Sequence, residues 1–198
     1  IEGAGIKENT TVLIVGDHGF VDIHTSIAPN VWLAKAGLIN DAKKDEWKAM
    51  FHQSGGSAFL HLKNKGDEKT LKQIKDLLAA LPESQKKLFR VVERKELDVI
   101  GADPNAALAL APVQGITISA SITGEVFKAV KGGTHGYFPD FKEIQTGFIA
   151  SGAGIKKGTV IPLMGLEDIA PLVAKLLGLD LPTAEGMLYP GILLKEGK

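Results

Sequence analysis

The 198-residue chain contains no cysteine. Disulfides, thiolate zinc sites and a cysteine nucleophile are therefore excluded, and redox chemistry gives no clue to compartment. No apolar run approaches the roughly 18 residues that cross a membrane. The longest, Ala106 to Val113, has the length of a strand. Neither sign of charge is in excess, because 23 Lys and Arg balance 23 Asp and Glu. A domain that holds duplex nucleic acid carries a basic surplus, so nucleic acid is not expected as a partner. No signal peptide is visible, but the chain opens on Ile1 rather than Met. The natural start, with any targeting segment, is expected upstream. The remaining composition is that of a globular protein, with 44% hydrophobic and 23% charged residues. Those values exclude disordered and collagen-like classes. The length suits one large domain or a domain with an insertion.

Glycine is plentiful, at 23 residues, and it punctuates the apolar runs. Thr11 to Val15 is an uninterrupted β-branched run ending at Gly16, the pattern of a buried central strand. Val21 to Ala28 reads as a second extended piece, and Val31 to Ala36 as a short helix ended by Gly37. Asp41 to His52 is charged and helical in period, and Gly55-Gly56 breaks it. Ser57 to Leu62 alternates like a strand. In Asp67 to Leu81, Asp67 caps a helix whose Leu71, Ile74, Leu77, Leu78 and Leu81 form one stripe. Leu88–Val92, Ala106–Ala111, Ile116–Ser119 and Gly147–Ala150 are further strands, and Gly165 to Leu177 is a closing helix. The simplest layout is a sheet core built from residues 1–39 and 113–198, with an α+β insertion at 40–112.

Chemistry concentrates in two glycine-flanked motifs. Gly16-Asp17-His18-Gly19 directly follows the first strand, and ligands gather at the carboxyl ends of strands in open α/β sheets. Asp17 offers a hard anionic oxygen and His18 a neutral nitrogen, a pairing that suits zinc or a similar divalent ion. Taken alone, the plainer account is a capped turn beside a packed imidazole. In Gly132-Gly133-Thr134-His135-Gly136-Tyr137 the backbone is shaped around one histidine, at a cost in chain entropy. Alone, it reads as a loop tip. Residues 19–134 lie between the two histidines, so the motifs meet only if the intervening segment is an insertion.

Both motifs, in this order, resemble the alkaline-phosphatase superfamily, in its nucleotide pyrophosphatase/type I phosphodiesterase branch. The likeness rests on Gly16-Asp17-His18-Gly19-Phe20 and Gly133-Thr134-His135-Gly136-Tyr137. Behind them come Phe148 to Gly152, Ile155-Lys156-Lys157-Gly158 and Leu176-Leu177-Gly178-Leu179. Ala184-Glu185-Gly186 stands where the family often has Asn-Asp-Gly. The resemblance implies a partial three-layer α/β/α core of the alkaline-phosphatase type with an inserted α+β cap. It implies two divalent ions, usually zinc, with Asp17 and His18 matching ligands of one and His135 a ligand of the other. It also implies a phosphate-ester substrate, nucleotide-like in this branch, and an extracytoplasmic setting. The family's Thr or Ser nucleophile and its further Asp and His ligands have no counterpart here, since Ile1 to Gly16 contain no Asp or His. The expectation is therefore a C-terminal portion of a phosphoric-ester hydrolase, whose catalytic nucleophile lies in a missing N-terminal half. That half is the expected partner, and this chain alone should be inactive.

Two alternatives stand beside this one. Another enzyme of the superfamily is one: a phosphomutase, a sulfatase or a phosphonate hydrolase. A non-catalytic binding domain that keeps the two loops is the other. Remaining candidates are weaker. His24 reads as a surface or strand histidine, and His52 and His61 as structural. Ser151 to Gly154 lacks the Lys-Ser/Thr of a phosphate-cradling loop. Thr134 shapes its loop, and Phe20 and Tyr137 either line a substrate pocket or pack.

Overall fold

The computed structural model describes residues 1–41 and 44–194. In chain order the elements are β1 (Thr11–Val15), β2 (Val21–Ile27), α1 (Pro29–Lys35), β3 (Ile39–Asp41), β4 (Glu46–Trp47), β5 (Ala49–Gln53) and β6 (Ala58–Leu62). Then follow α2 (Glu68–Ala79), α3 (Glu83–Lys86), β7 (Phe89–Glu93), α4 (Arg94–Val99), β8 (Ala106–Pro112), β9 (Ile116–Ile118) and β10 (Phe127–Thr134), and finally β11 (Phe148–Gly152) and α5 (Ile169–Leu176). They form two units. One joins residues 1–17 to the described residues from Thr146 onward, and the other runs from His18 to Gln145. Both ends of the expected insertion, at 40 and 112, fall inside the second unit.

In the first unit β1 pairs with β11, antiparallel, with Leu13 opposite Ala150 and Ile14 opposite Ile149. Leu13, Phe148 and Ala150 pack beneath the ribbon against a small core of Ile155, Leu172, Ile192 and Leu193. The opposite face carries Val12, Ile14 and Ile149, exposed at 38, 59 and 62%. The sequence pattern suggests a strand buried on both faces. The structure corrects this: β1 has a single neighbour among the described residues, and one of its apolar faces is uncovered.

The second unit holds a three-stranded sheet ordered β10-β2-β9 and a four-stranded sheet ordered β5-β6-β8-β7. Its main core buries Ile27, Leu33, Phe51, Leu60, Ile74, Leu108, Leu110 and Ile116 at 2% exposure or less. Each such side chain contributes about 1.5–3 kcal/mol relative to an exposed one. The capping of α2 follows its sequence: the Asp67 carboxylate accepts from the Thr70 backbone N–H at 3.0 Å and from its hydroxyl at 2.7 Å. Those bonds hold the Asp67 carboxyl below its usual pKa.

The segment expected as a helix over Asp41 to His52 is instead strand. Asp45 takes a left-handed backbone at φ 60°, which interrupts a helix. Beyond it Ala49 and Phe51 point into the core while His52 is exposed. That two-residue burial period, paired residue by residue to β6, overrides the helical propensity of the charged residues. Ala42 and Lys43 of that segment lie outside the described residues.

Asn30 is a buried polar group (1% exposed) at the start of α1. Its amide donates to the Phe51 carbonyl at 2.8 Å, and its carbonyl accepts from the Phe51 N–H at 2.8 Å. It therefore satisfies both backbone groups of a core strand residue. Asn30→Ala should destabilise the protein by about 2–4 kcal/mol, since both Phe51 groups lose their partner in a dry site. Urea unfolding measures this, and a loss below about 0.5 kcal/mol, within the range of a neutral surface change, would contradict it.

Candidate functional site

The two histidine motifs meet because of one strand pairing. In the antiparallel ladder of β10 and β2, Thr134 stands opposite Val21 and Gly133 opposite Asp22. Chain entering β2 and chain leaving β10 therefore pass the same end of the sheet. The His18 and His135 rings stack there, with centroids 4.2 Å apart and planes 17° apart. Phe20 lies beside them, its ring 6.1 Å from that of His135. Phe20 is 64% exposed, and both imidazoles reach solvent. Its ring occupies the place a side chain at residue 133 would take, so Gly133 provides its seat.

The His135 loop is gripped by a turn that looked only like a helix breaker. Gly56 N–H donates to the His135 carbonyl at 2.7 Å, and Ile118 N–H donates to the Gly55 carbonyl at 2.7 Å. A side chain at Gly55 would strike the His135 carbonyl, and one at Gly136 would strike that of Ser54. Gly55 and Gly136 have φ of 61° and 77°, a region in which other residues are strained. Tyr137 completes the clamp. Its hydroxyl donates to the Ile116 carbonyl at 2.6 Å, and its ring packs where a Gly56 side chain would sit. Burial pushes the Tyr137 phenol above its usual pKa. In sequence the Gly55-Gly56 pair marks only a break between segments; its role as a seat depends on His135 arriving from elsewhere in the chain.

His18 Nδ1 lies 3.0 Å from the Gly19 carbonyl. An oxygen of that kind only accepts, so Nδ1 carries the proton and Nε2 is the lone-pair nitrogen of the neutral ring. Asp17 is exposed and is the last residue of its own unit before the chain enters the next. His24 behaves as a strand histidine. Its backbone N–H donates to the Gly115 carbonyl at 2.8 Å, and its Nδ1 lies 2.9 Å from the Thr25 hydroxyl. Metal ligation is the chemistry implied for this loop cluster, and the two imidazoles are the right donor type for zinc. The set is incomplete: among the described residues no group of three His, Asp or Glu stands ready to hold an ion.

The sequence signature of type I phosphodiesterase/nucleotide pyrophosphatase matches residues 1–138. The chain belongs to that family. Its match to solved structures carries the fold. Human ectonucleotide pyrophosphatase/phosphodiesterase 5 superposes with a TM-score of 0.72 at 16% identity, over 98% of this chain and 48% of that one. The murine counterpart gives 0.70 at 17% identity, over 97% and 48%. An inactive variant of the murine protein in complex with AMP gives 0.70 at 17%, over 97% and 47%. The fold is thus alkaline-phosphatase-like, and the chain spans about half the length of the solved structures it matches. No curated protein sequence matches it significantly.

Because the loop is held by close backbone approach, Gly136→Ala should cost about 1–2 kcal/mol from strain alone. The clash with Ser54 should also displace His135. Ring-current shifts of the His18 and His135 imidazole protons should collapse towards free values. Unchanged shifts in the folded variant would show that the turn does not position the histidine.

Proposed function

We propose that this chain is the C-terminal portion of a divalent-metal-dependent phosphodiesterase/nucleotide pyrophosphatase, acting on a phosphate ester that is nucleotide-like. The observation that carries the reading is the convergence of His18 and His135, far apart in sequence, into one stack at 4.2 Å in a chain of this family. In this reading Asp17 and His18 serve one ion and His135 the other, an assignment taken from the motifs. Zinc is the metal the donor types favour. Divalent ions held there supply charge stabilisation to a phosphoryl group and activate its attacking oxygen. The chain's own contribution is to present two imidazoles side by side. The Gly19 carbonyl fixes the His18 tautomer, the Gly55-Gly56 turn fixes the His135 loop, and Phe20 offers an apolar wall beside them.

The catalytic nucleophile and the remaining ligands belong, in this proposal, to an N-terminal half of the same protein. Two facts support it: the chain spans about half of its structural relatives, and Val12, Ile14 and Ile149 form an uncovered apolar strand face of the sort that another layer covers. The division into a core at 1–39 and 113–198 with a cap at 40–112 is proposed on the same footing. An extracytoplasmic setting accompanies the reading, since the solved relatives are named ectonucleotide pyrophosphatases. No helix among the described residues is long and apolar enough to cross a membrane.

The test is hydrolysis of a bis-nitrophenyl phosphodiester, a nitrophenyl monoester and a nitrophenyl sulfate by the full-length gene product, with and without zinc. Diester turnover should predominate and vanish on chelation. Asp17→Ala, His18→Ala and His135→Ala should each lower kcat/KM by at least about a hundredfold, as loss of metal-site groups does. The present chain alone should bind zinc weakly and turn over none of the three. Full turnover in the His18 or His135 variants would overturn the assignment, and preferred sulfate turnover would move the enzyme to another branch of the superfamily.

A further inference from the structure

The short strand β9 touches both sides of the histidine cluster. It runs parallel to β2, with Thr25 opposite Ile116 and Ile27 opposite Ile118, and β2 is the strand that follows the His18 loop. Three consecutive residues of β9 also hold the seat of His135. The Ile116 carbonyl accepts from the Tyr137 hydroxyl at 2.6 Å, and the Ile118 N–H donates to the Gly55 carbonyl at 2.7 Å. Between them, the Thr117 hydroxyl donates to that same Gly55 carbonyl at 3.1 Å.

The sequence of β9 directs the threonine to this contact. Successive side chains of a strand face opposite ways. Ile116 and Ile118 are buried in the main core, so Thr117 stands on the other face, partly buried. Valine has the same shape and suits a strand as well; what threonine adds is the hydroxyl. That hydroxyl meets a peptide with little else to orient it. Gly55 and Gly56 carry no side chains, and glycine accepts backbone conformations closed to other residues.

The Gly55 carbonyl and the Gly56 N–H belong to one peptide unit, which is planar, and trans here as throughout the chain, so the two groups point to opposite sides. The carbonyl side is held by Ile118 and Thr117, and the N–H side donates to the His135 carbonyl at 2.7 Å. We propose that Thr117 is a positioning residue of the histidine cluster. Its hydroxyl locks the plane of the Gly55–Gly56 peptide, the peptide holds the His135 carbonyl, and the imidazole is thereby kept in its stack on His18. A flip of that plane would turn the N–H away and set one carbonyl oxygen against another. The carbonyl accepts two hydrogen bonds, and β9 supplies a donor for each, one from its backbone and one from Thr117.

Only the effect on catalysis rests on the phosphodiesterase reading; the effect on geometry is read from this chain alone. Imidazole proton shifts and amide hydrogen exchange are measured on Thr117→Val, Thr117→Ser and a control, Ile74→Val, which trims a fully buried side chain of α2. Thr117→Val should move the His18 and His135 ring-current shifts and speed exchange of the Gly56 amide by about tenfold, the worth of one hydrogen bond. Thr117→Ser should keep parental values of both. Ile74→Val should lower the melting temperature and leave both unchanged. In the full-length protein Thr117→Val should lower kcat/KM for the diester by about tenfold, as loss of a group behind a ligand does, and Thr117→Ser should restore it. Parental shifts and parental Gly56 exchange in Thr117→Val would overturn the positioning role, as would equal changes in Thr117→Ser or in Ile74→Val. Moved shifts with undiminished diester turnover would uphold the positioning role and overturn the phosphodiesterase reading of the cluster.

Discussion

The antiparallel register of β2 against β10 is the constraint on which the candidate site depends. It places Val21 opposite Thr134, and each histidine motif lies just outside that last pair. Closing so long a loop costs conformational entropy that grows only slowly with length. The closure is offset by the packing of the segment between the motifs, which carries the main core of its unit. The stack of His18 on His135 is thus a consequence of how that core folds. A shift of one residue in the β2–β10 register would turn the side chains of both strands to opposite faces and remove Phe20 from its seat over Gly133.

Much of the local structure was legible from periodicity. The strands at Thr11–Val15, Ala58–Leu62 and Ala106–Pro112 and the capped helix α2 fall where apolar spacing and Asp67 place them. What was not legible depends on long-range partners. Ala49 to Gln53 has charged, helix-favouring neighbours, and only its pairing with β6 and the burial of Phe51 make it a strand. The run Phe127 to Thr134 contains Gly132 and Gly133, which weaken any strand signal, and it becomes β10 because β2 offers an open edge. The two histidine loops were visible as glycine-flanked motifs. The turn that seats one of them was not, since Gly55 and Gly56 acquire that role only when His135 arrives from elsewhere in the chain.

The exposed face of β1 and the incomplete donor set have a common form. A β-branched run with no polar alternation is the pattern of a strand covered on both sides, yet Ile14 and Ile149 meet solvent. Two imidazoles suit a divalent ion, yet among the described residues no group of three His, Asp or Glu is placed to hold one. In each case the residue types specify more neighbours than these residues provide. The chain spans about half the length of the solved structures it matches.

Glycine makes the hairpin over residues 53–57 part of the site. Gly55, Gly56, Gly133 and Gly136 each stand where a side chain would strike a neighbour, and each is costly to order. A loop built this way has few side chains with which to hold itself. Its geometry comes instead from backbone partners: Gly56 to His135, Gly55 to Ile118, and the Tyr137 hydroxyl to Ile116. Residues 53–57 lie within the stretch that looks like an independent cap in sequence. In space they fix the conformation of the His135 loop, so changes in that hairpin act on the position of the imidazole. The hairpin and the histidine loop must therefore be treated as a single structural element.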